Sequence, residues 1–394
     1  PEVAKAVVED NYLQSALLSM EALRSVTRGE PFLDLVSYLD KHNLNRAAEH
    51  VPADEELRGW LATGKGLPRN LLAVLVAHTK LDLFDRVLTS RIPDLPLFEP
   101  MLVNYFPPQL AKTHAAQIKQ HHLRREIVAT VATNAIINQA GCTLLVQLSK
   151  ETALPIEELV IRYFVCDELI GGRALRAAIH GCDYTVAAAD QYAALMALEE
   201  VNRALLRWWI WNDATWKLSP DEVAATRAQF EAVATALVAG QDAGAKAAAA
   251  AAEQDLVSRH FPAPLAAALV RVNLYRHGFA VLAAARDARL SVAQVAPLFQ
   301  RVGRELHVDT FDEQLALQVP ANSWERRFLS SVERGVADIR QLGVSKLAAD
   351  PAYIEKHREP IERIADSLRM VKRFGGHGLI PMYLILDDYR APWG

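Results

Sequence analysis

Residues 104–141 read NYFPPQLAKTHAAQIKQHHLRREIVATVATNAIINQAG. Pro107 and Pro108 stand where a helix can begin, because the N–H that proline lacks falls among donors with no intrahelical partner. Gly141 supplies the stop, as the residue that enters the left-handed C′ conformation most cheaply. No Pro or Gly interrupts 109–140, so the spacing predicts one continuous central helix near 108–140, about 48 Å long. Its second half places Ile127, Val128, Val131, Ala132, Ala135 and Ile136 at steps of three and four, an apolar stripe. Its first half carries Lys119, Arg124, Arg125, His114, His121 and His122 and reads as partly wet.

Two polar features stand out on this stretch. Asn134 and Asn138 lie one turn apart beside the stripe, where an unpaired amide costs about 1–3 kcal/mol. Hydrogen bonds between packed helices are the structural explanation and ligand binding the functional one. His121, Arg124 and Arg125 form the other feature. The i, i+3 pair His121 and Arg124 shares a face that can hold a phosphate or carboxylate, while a salt-bridged, solvated face is the alternative.

Outward from this centre most of the chain reads as helix. Residues 1–27, 31–41 and 68–90 each show helical spacing with Gly or Pro at their limits. Gly64-Lys-Gly66 has a turn's composition. It lacks the preceding strand and the third glycine of a dinucleotide fingerprint, since Arg69 takes that place. Ser219 with Glu222, and Ser291 with Gln294, are capping boxes. The first opens a long helix to about residue 259, with an alanine-rich centre, AGAKAAAAAAEQ, that forms helix readily and has little side chain to bury. Asp350 and Pro351 mark a start for a helix over 351–373. Trp208, Trp209, Trp211 and Trp216 fall within nine residues, either as packing at a helix corner or as anchors for a partner. MYLILDDY, near the end, is the one stretch with the look of a single short strand.

The expected fold is therefore all-α, an irregular array of about a dozen helices without an internal repeat. It is expected to divide into an N-terminal helical segment over 1–103, a central bundle over 104–218, a C-terminal long-helix bundle over 219–374 and a divergent tail over 375–394.

Composition excludes several functions. Asp and Glu number 47 against 43 Lys and Arg, a net charge of −4, so no global positive field is present to hold nucleic acid. No apolar run approaches the roughly 20 residues of a membrane helix. Cys142, Cys166 and Cys182 are too few and too irregular for a disulfide framework or a metal knuckle, which suggests a reducing cytoplasm. His114 and His121 are two turns apart, and the adjacent His121 and His122 point about 100° apart, so no helical zinc pair forms. No nucleophile elbow or local catalytic cysteine signature appears. Catalytic, cofactor and metal residues are accordingly expected to be none. Pro1 falls inside a helical pattern with neither initiator Met nor signal peptide, as expected of a cut within a longer polypeptide.

Several motifs in one order resemble a known family. HHLRREIVATVATNAIINQAG preceded by Asn104-Tyr105-Phe106-Pro107, Asp10-Asn11-Tyr12-Leu13-Gln14 with Leu18-Ser19, and Gly66-Leu67-Pro68-Arg69 before LAVLVAHTKLDL are similar to the C-terminal helical region of the large bacterial NAD-dependent glutamate dehydrogenases. The likeness runs from residue 1 to about 350. Leu67, Asn70-Leu71 and the end after Phe374 depart from the family pattern. In that family the glutamate pocket, the catalytic Lys and Asp and the NAD fold lie upstream. The resemblance implies a full enzyme that converts L-glutamate, NAD and water to 2-oxoglutarate, ammonium and NADH, with this chain as its scaffold, regulatory or oligomerisation domain, itself inactive and without cofactor. The partners implied are its own catalytic domain and further copies of itself. A metabolite-sensing module at His121, Arg124 and Arg125, and a stand-alone adaptor, are the other functional hypotheses.

Overall fold

A computed structural model describes residues 2–212, 219–320, 322–374 and 378–390. Among them every regular element is α-helical or 3-10, and no strand occurs, so the all-α expectation holds. The helices are shorter and more numerous than a dozen. Two compact units form: one from the chain up to Glu168 with Ala188–Glu200 and 216–224, the other from Leu169–Ala187, 201–215 and the chain from Ala225 onward.

The expected continuous central helix is broken into three. Pro108–Thr113 starts on its proline as anticipated, Ala115–Lys119 follows, and Arg124–Ala140 is the only long piece. Local polar groups compete with the helix at each break. Thr113 Oγ1 donates back to Gln109 O at 2.9 Å and pairs with His114 Nδ1, and the Leu123 N–H donates to His121 Nδ1 at 3.2 Å. The first two pieces bury only Ile118 between them. Absence of proline permits a helix, but packing on an apolar face is what sustains one. Arg124–Ala140 has that face, with Val128, Ala132, Ile136 and Ile137 essentially inaccessible.

In the first unit this helix lies against Arg69–Thr89, with Glu99–Tyr105 and Glu2–Thr27 also packed on it. Leu72, Leu75, Leu83 and Val87 provide the buried side of Arg69–Thr89. The Gly64 and Gly66 turn ahead of it has both glycines at positive φ, and the Leu67 N–H donates to Ser25 Oγ at 2.9 Å.

The second unit is built on Ser323–Ala349, which packs against Gly278–Ala288, Val292–Glu305, Val308–Ala316 and Leu379–Arg390. Gly335 lets Leu386 approach so closely that an added Cβ would sit 2.8 Å from a methyl. Ser291 and Gln294 form the reciprocal capping box read from the sequence.

Three other helices depart from expectation. The helix from Pro220 ends at Ala239, and a new one, Ala243–Ser258, starts on the Asp242 side chain, which accepts from the Ala245 N–H at 2.8 Å. Gly240 and a good N-cap outweigh the alanine run's propensity. No residue of Ala243–Ser258 is buried, as its composition implied. The segment after Asp350 splits at His357 into Tyr353–Lys356 and Arg358–Phe374. MYLILDDY is helix, within Leu379–Arg390: its buried residues Met382, Ile385, Leu386 and Tyr389 recur at three and four, a helical period rather than the alternation of a strand.

Candidate functional site

Each end of Arg124–Ala140 carries a cluster of ionisable groups. At its start, the two arginines singled out by sequence converge on one carboxylate. Arg124 Nη2 donates to Asp94 Oδ1 at 3.1 Å, and Arg125 Nη1 pairs with Asp94 Oδ2. Asp94 is brought there by the short 3-10 turn Ile92–Asp94. Arg125 reaches further, donating through Nη2 to Leu88 O at 2.7 Å and Ser90 O at 2.8 Å. These carbonyls close the helix Arg69–Thr89, so Arg125 serves as a side-chain cap where the dipole favours a cation. His121 stands apart from the carboxylate: its Nδ1 accepts from its own turn and its ring lies against Phe106 and His122. The position a bound anion would take between the arginines is filled by the chain's own Asp94.

The asparagines separate. Asn138 Oδ1 accepts from Lys80 Nζ at 2.9 Å, joining the two central helices of the first unit, while Asn134, partly buried, has no side-chain hydrogen bond among the described residues. Burial lowers the Lys80 amine to about 8, against a smaller opposing effect of Asp10.

The cluster at the helix end was not visible in the sequence. Gly141 has φ 85° and ψ 172°, an extended positive-φ backbone instead of the left-handed helical cap expected. A Cβ there would come 2.3 Å from Glu21 Oε1. The space is needed because Glu21, fully buried, accepts from Arg24 Nη1 at 2.5 Å and from Cys142 Sγ at 2.8 Å. Arg24 Nη2 in turn caps the helix through Gln139 O at 2.9 Å. Burial, followed by the Glu21 charge, pushes the Cys142 thiol well above its ordinary range, so it stays a protonated donor. Only Gly141 signalled this site locally; Glu21 and Arg24 come from more than a hundred residues earlier.

The second unit has its own ion cluster, a buried arginine held by two half-exposed carboxylates, also missed. Arg340, 8 % exposed, donates to Asp309 Oδ1 at 2.6 Å and Asp312 Oδ2 at 3.0 Å and lies over the Phe299 ring. Trp208 and Trp209 pack around Phe279 in the same unit; Trp216 lies outside the described residues. Among the described residues no three His, Cys, Asp or Glu side chains could share a metal ion, and no single helix is long and apolar enough to cross a membrane.

These observations describe an all-helical protein whose ion clusters, among the described residues, join its own helices. The chain belongs to the family described as glutamate dehydrogenase, C-terminal, which matches residues 64–388. That match runs into the final helix, beyond the point near 350 where the motif likeness was expected to fade. Among relatives, the NAD-specific glutamate dehydrogenase of Pseudomonas aeruginosa is 30 % identical over 53 % of this chain and 13 % of its own length. The protein of the same name from Mycobacterium tuberculosis is 29 % identical over 48 % of the chain and 12 % of its length. That of Halomonas elongata is 24 % identical over 83 % of the chain and 20 % of its length. The matched region thus spans an eighth to a fifth of these curated relatives.

Proposed function

We propose that this chain is the non-catalytic C-terminal helical domain of an NAD-specific glutamate dehydrogenase, a cytoplasmic enzyme that oxidises L-glutamate to 2-oxoglutarate and ammonium with NAD. Its role is to provide packing surface for the catalytic domain and for subunit contacts. The observation that supports this most is the Asp94 pair with Arg124 and Arg125: the most ligand-like charges in the sequence are spent on joining three segments of the chain. The family match supports the enzyme, and the small share of the relatives' length that is covered leaves room for glutamate and NAD sites elsewhere in them.

The test is a spectrophotometric assay of the purified chain with L-glutamate and NAD. No NADH is expected at any substrate concentration. Turnover that depends on both substrates would overturn the division of labour.

A further inference from the structure

The helix Leu379–Arg390 is apolar on two sides. Its inner stripe, Met382, Ile385, Leu386 and Tyr389, is at most 2 % exposed, whereas Ile380, Tyr383 and Leu384 stand 74 %, 41 % and 58 % exposed on the other side. A contiguous exposed apolar patch on a packed helix marks an interaction surface. The outer stripe continues onto the neighbouring helix Ser323–Ala349. The Phe328 ring lies 5.6 Å from that of Tyr383, and Trp324, one turn earlier on the same face, is 76 % exposed. The connector that carries the 77 % exposed Val319 is tied to the start of the last helix by a hydrogen bond from the Gly378 N–H to Gln318 Oε1 at 3.0 Å. Weighted by these exposures, the three rings, at about 150–250 Å² each when fully buried, present on the order of 300 Å², and Ile380, Leu384 and Val319 extend the patch toward the roughly 800 Å² per partner of a stable interface.

Charge is arranged along the patch with direction. Phe328 meets Tyr383 and, further on, Gly335 meets Leu386, so the two helices advance together across it. At one end the exposed Arg327 guanidinium lies over the Trp324 ring, 5.6 Å from its centroid. At the other, Asp387 and Asp388 continue the outer stripe of the last helix one turn beyond Tyr383 and Leu384, exposed and without an ion pair among the described residues. An apolar middle with a cation at one end and anions at the other is complementary to itself when turned by a half-rotation.

We propose that this face binds a second copy of the chain through a two-fold interface, with Tyr383 and Leu384 near the axis and Arg327 of each copy against Asp387 and Asp388 of the other. A two-fold contact requires such self-complementarity, and a partner of uniform charge would leave one end opposed. The inner stripe anchors the helix in its own unit, so the outer one is free to pair without unfolding.

Sedimentation velocity on the full chain tests this. The wild-type chain is expected to dimerise reversibly, and Leu384→Asp to be monomeric with an unchanged helical circular dichroism spectrum. Arg327→Glu, and separately the pair Asp387→Lys with Asp388→Lys, are expected to weaken the dimer about tenfold, and the combined charge reversal to restore it. The restored dimer separates a specific pairing from general damage to the surface. A monomeric wild-type chain overturns the proposal and leaves the face to a partner of another kind. So does a dimer that Leu384→Asp leaves intact, or one that the double reversal fails to rescue.

Discussion

The two ends of the helix Arg124–Ala140 use the same pair of groups, guanidinium and carboxylate, under opposite conditions. At its start Asp94 and Arg124 are each nearly half-exposed, so water competes for every hydrogen bond and the pair is worth little. At its end Glu21 is without solvent and Arg24 nearly so. There a missing partner leaves a charge stranded in low dielectric, which costs far more than the pair itself contributes. Density of charge along a sequence is thus a poor guide to where charge matters. The exposed cluster is local and conspicuous; the buried one is assembled from residues far apart in the chain.

That contrast can be broken by substitution, and the largest effects are expected at the buried end. Arg24→Ala, which leaves the Glu21 carboxylate without its cation, is expected to lower stability by about 3–5 kcal/mol in denaturant unfolding. Gly141→Ala combines positive-φ strain with a Cβ directed at Glu21 and should cost about 2–4 kcal/mol by the same measurement. If either is neutral, the buried cluster does not organise the first unit.

At the exposed start, the two arginines should differ from each other. Arg125→Ala removes the cap on Leu88 O and Ser90 O as well as the ion pair, an expected loss of about 1–3 kcal/mol. Arg124→Ala removes only the solvated pair, and a change in midpoint within about 0.5 kcal/mol is expected. Equal costs for the two would show that the carbonyls carry none of the difference.

An effect that depends on pH lies between the ends, at Lys80. Its amine is lowered to about 8 in the folded chain and stands near 10.4 when unfolded. Between these values the unfolded state binds more protons, so stability rises with pH across that window. Thermal melts from pH 7.5 to 10 should show the wild-type chain gaining on Lys80→Met by about 1 kcal/mol once solvent screening is allowed for. A constant gap between the two would remove the burial cost assigned to this amine.

The same contrast explains what was legible beforehand. Helical period disclosed the apolar face of Arg124–Ala140 because successive residues carry it, and Ser291 with Gln294 disclosed a cap because both partners lie within one turn. The breaks at His114 and around His121–Leu123 were hidden, since nothing in their composition forbids helix and the cause is a lack of packing beneath them. The last helix passed for a strand because its outer side is apolar too, masking the three-and-four spacing of Met382, Ile385 and Leu386. Of the site, Arg124 and Arg125 were readable as charges, but Asp94, thirty residues away, was not readable as their partner. Glu21 and Arg340 could be found only by folding.

The packing role proposed for this chain rests on the Arg124 and Arg125 face being already occupied by Asp94. Isothermal titration of the purified chain with L-glutamate, 2-oxoglutarate and NAD addresses this directly. Heats of dilution alone are predicted for all three; a saturable heat that disappears in Arg124→Ala would contradict it and make that face a ligand site.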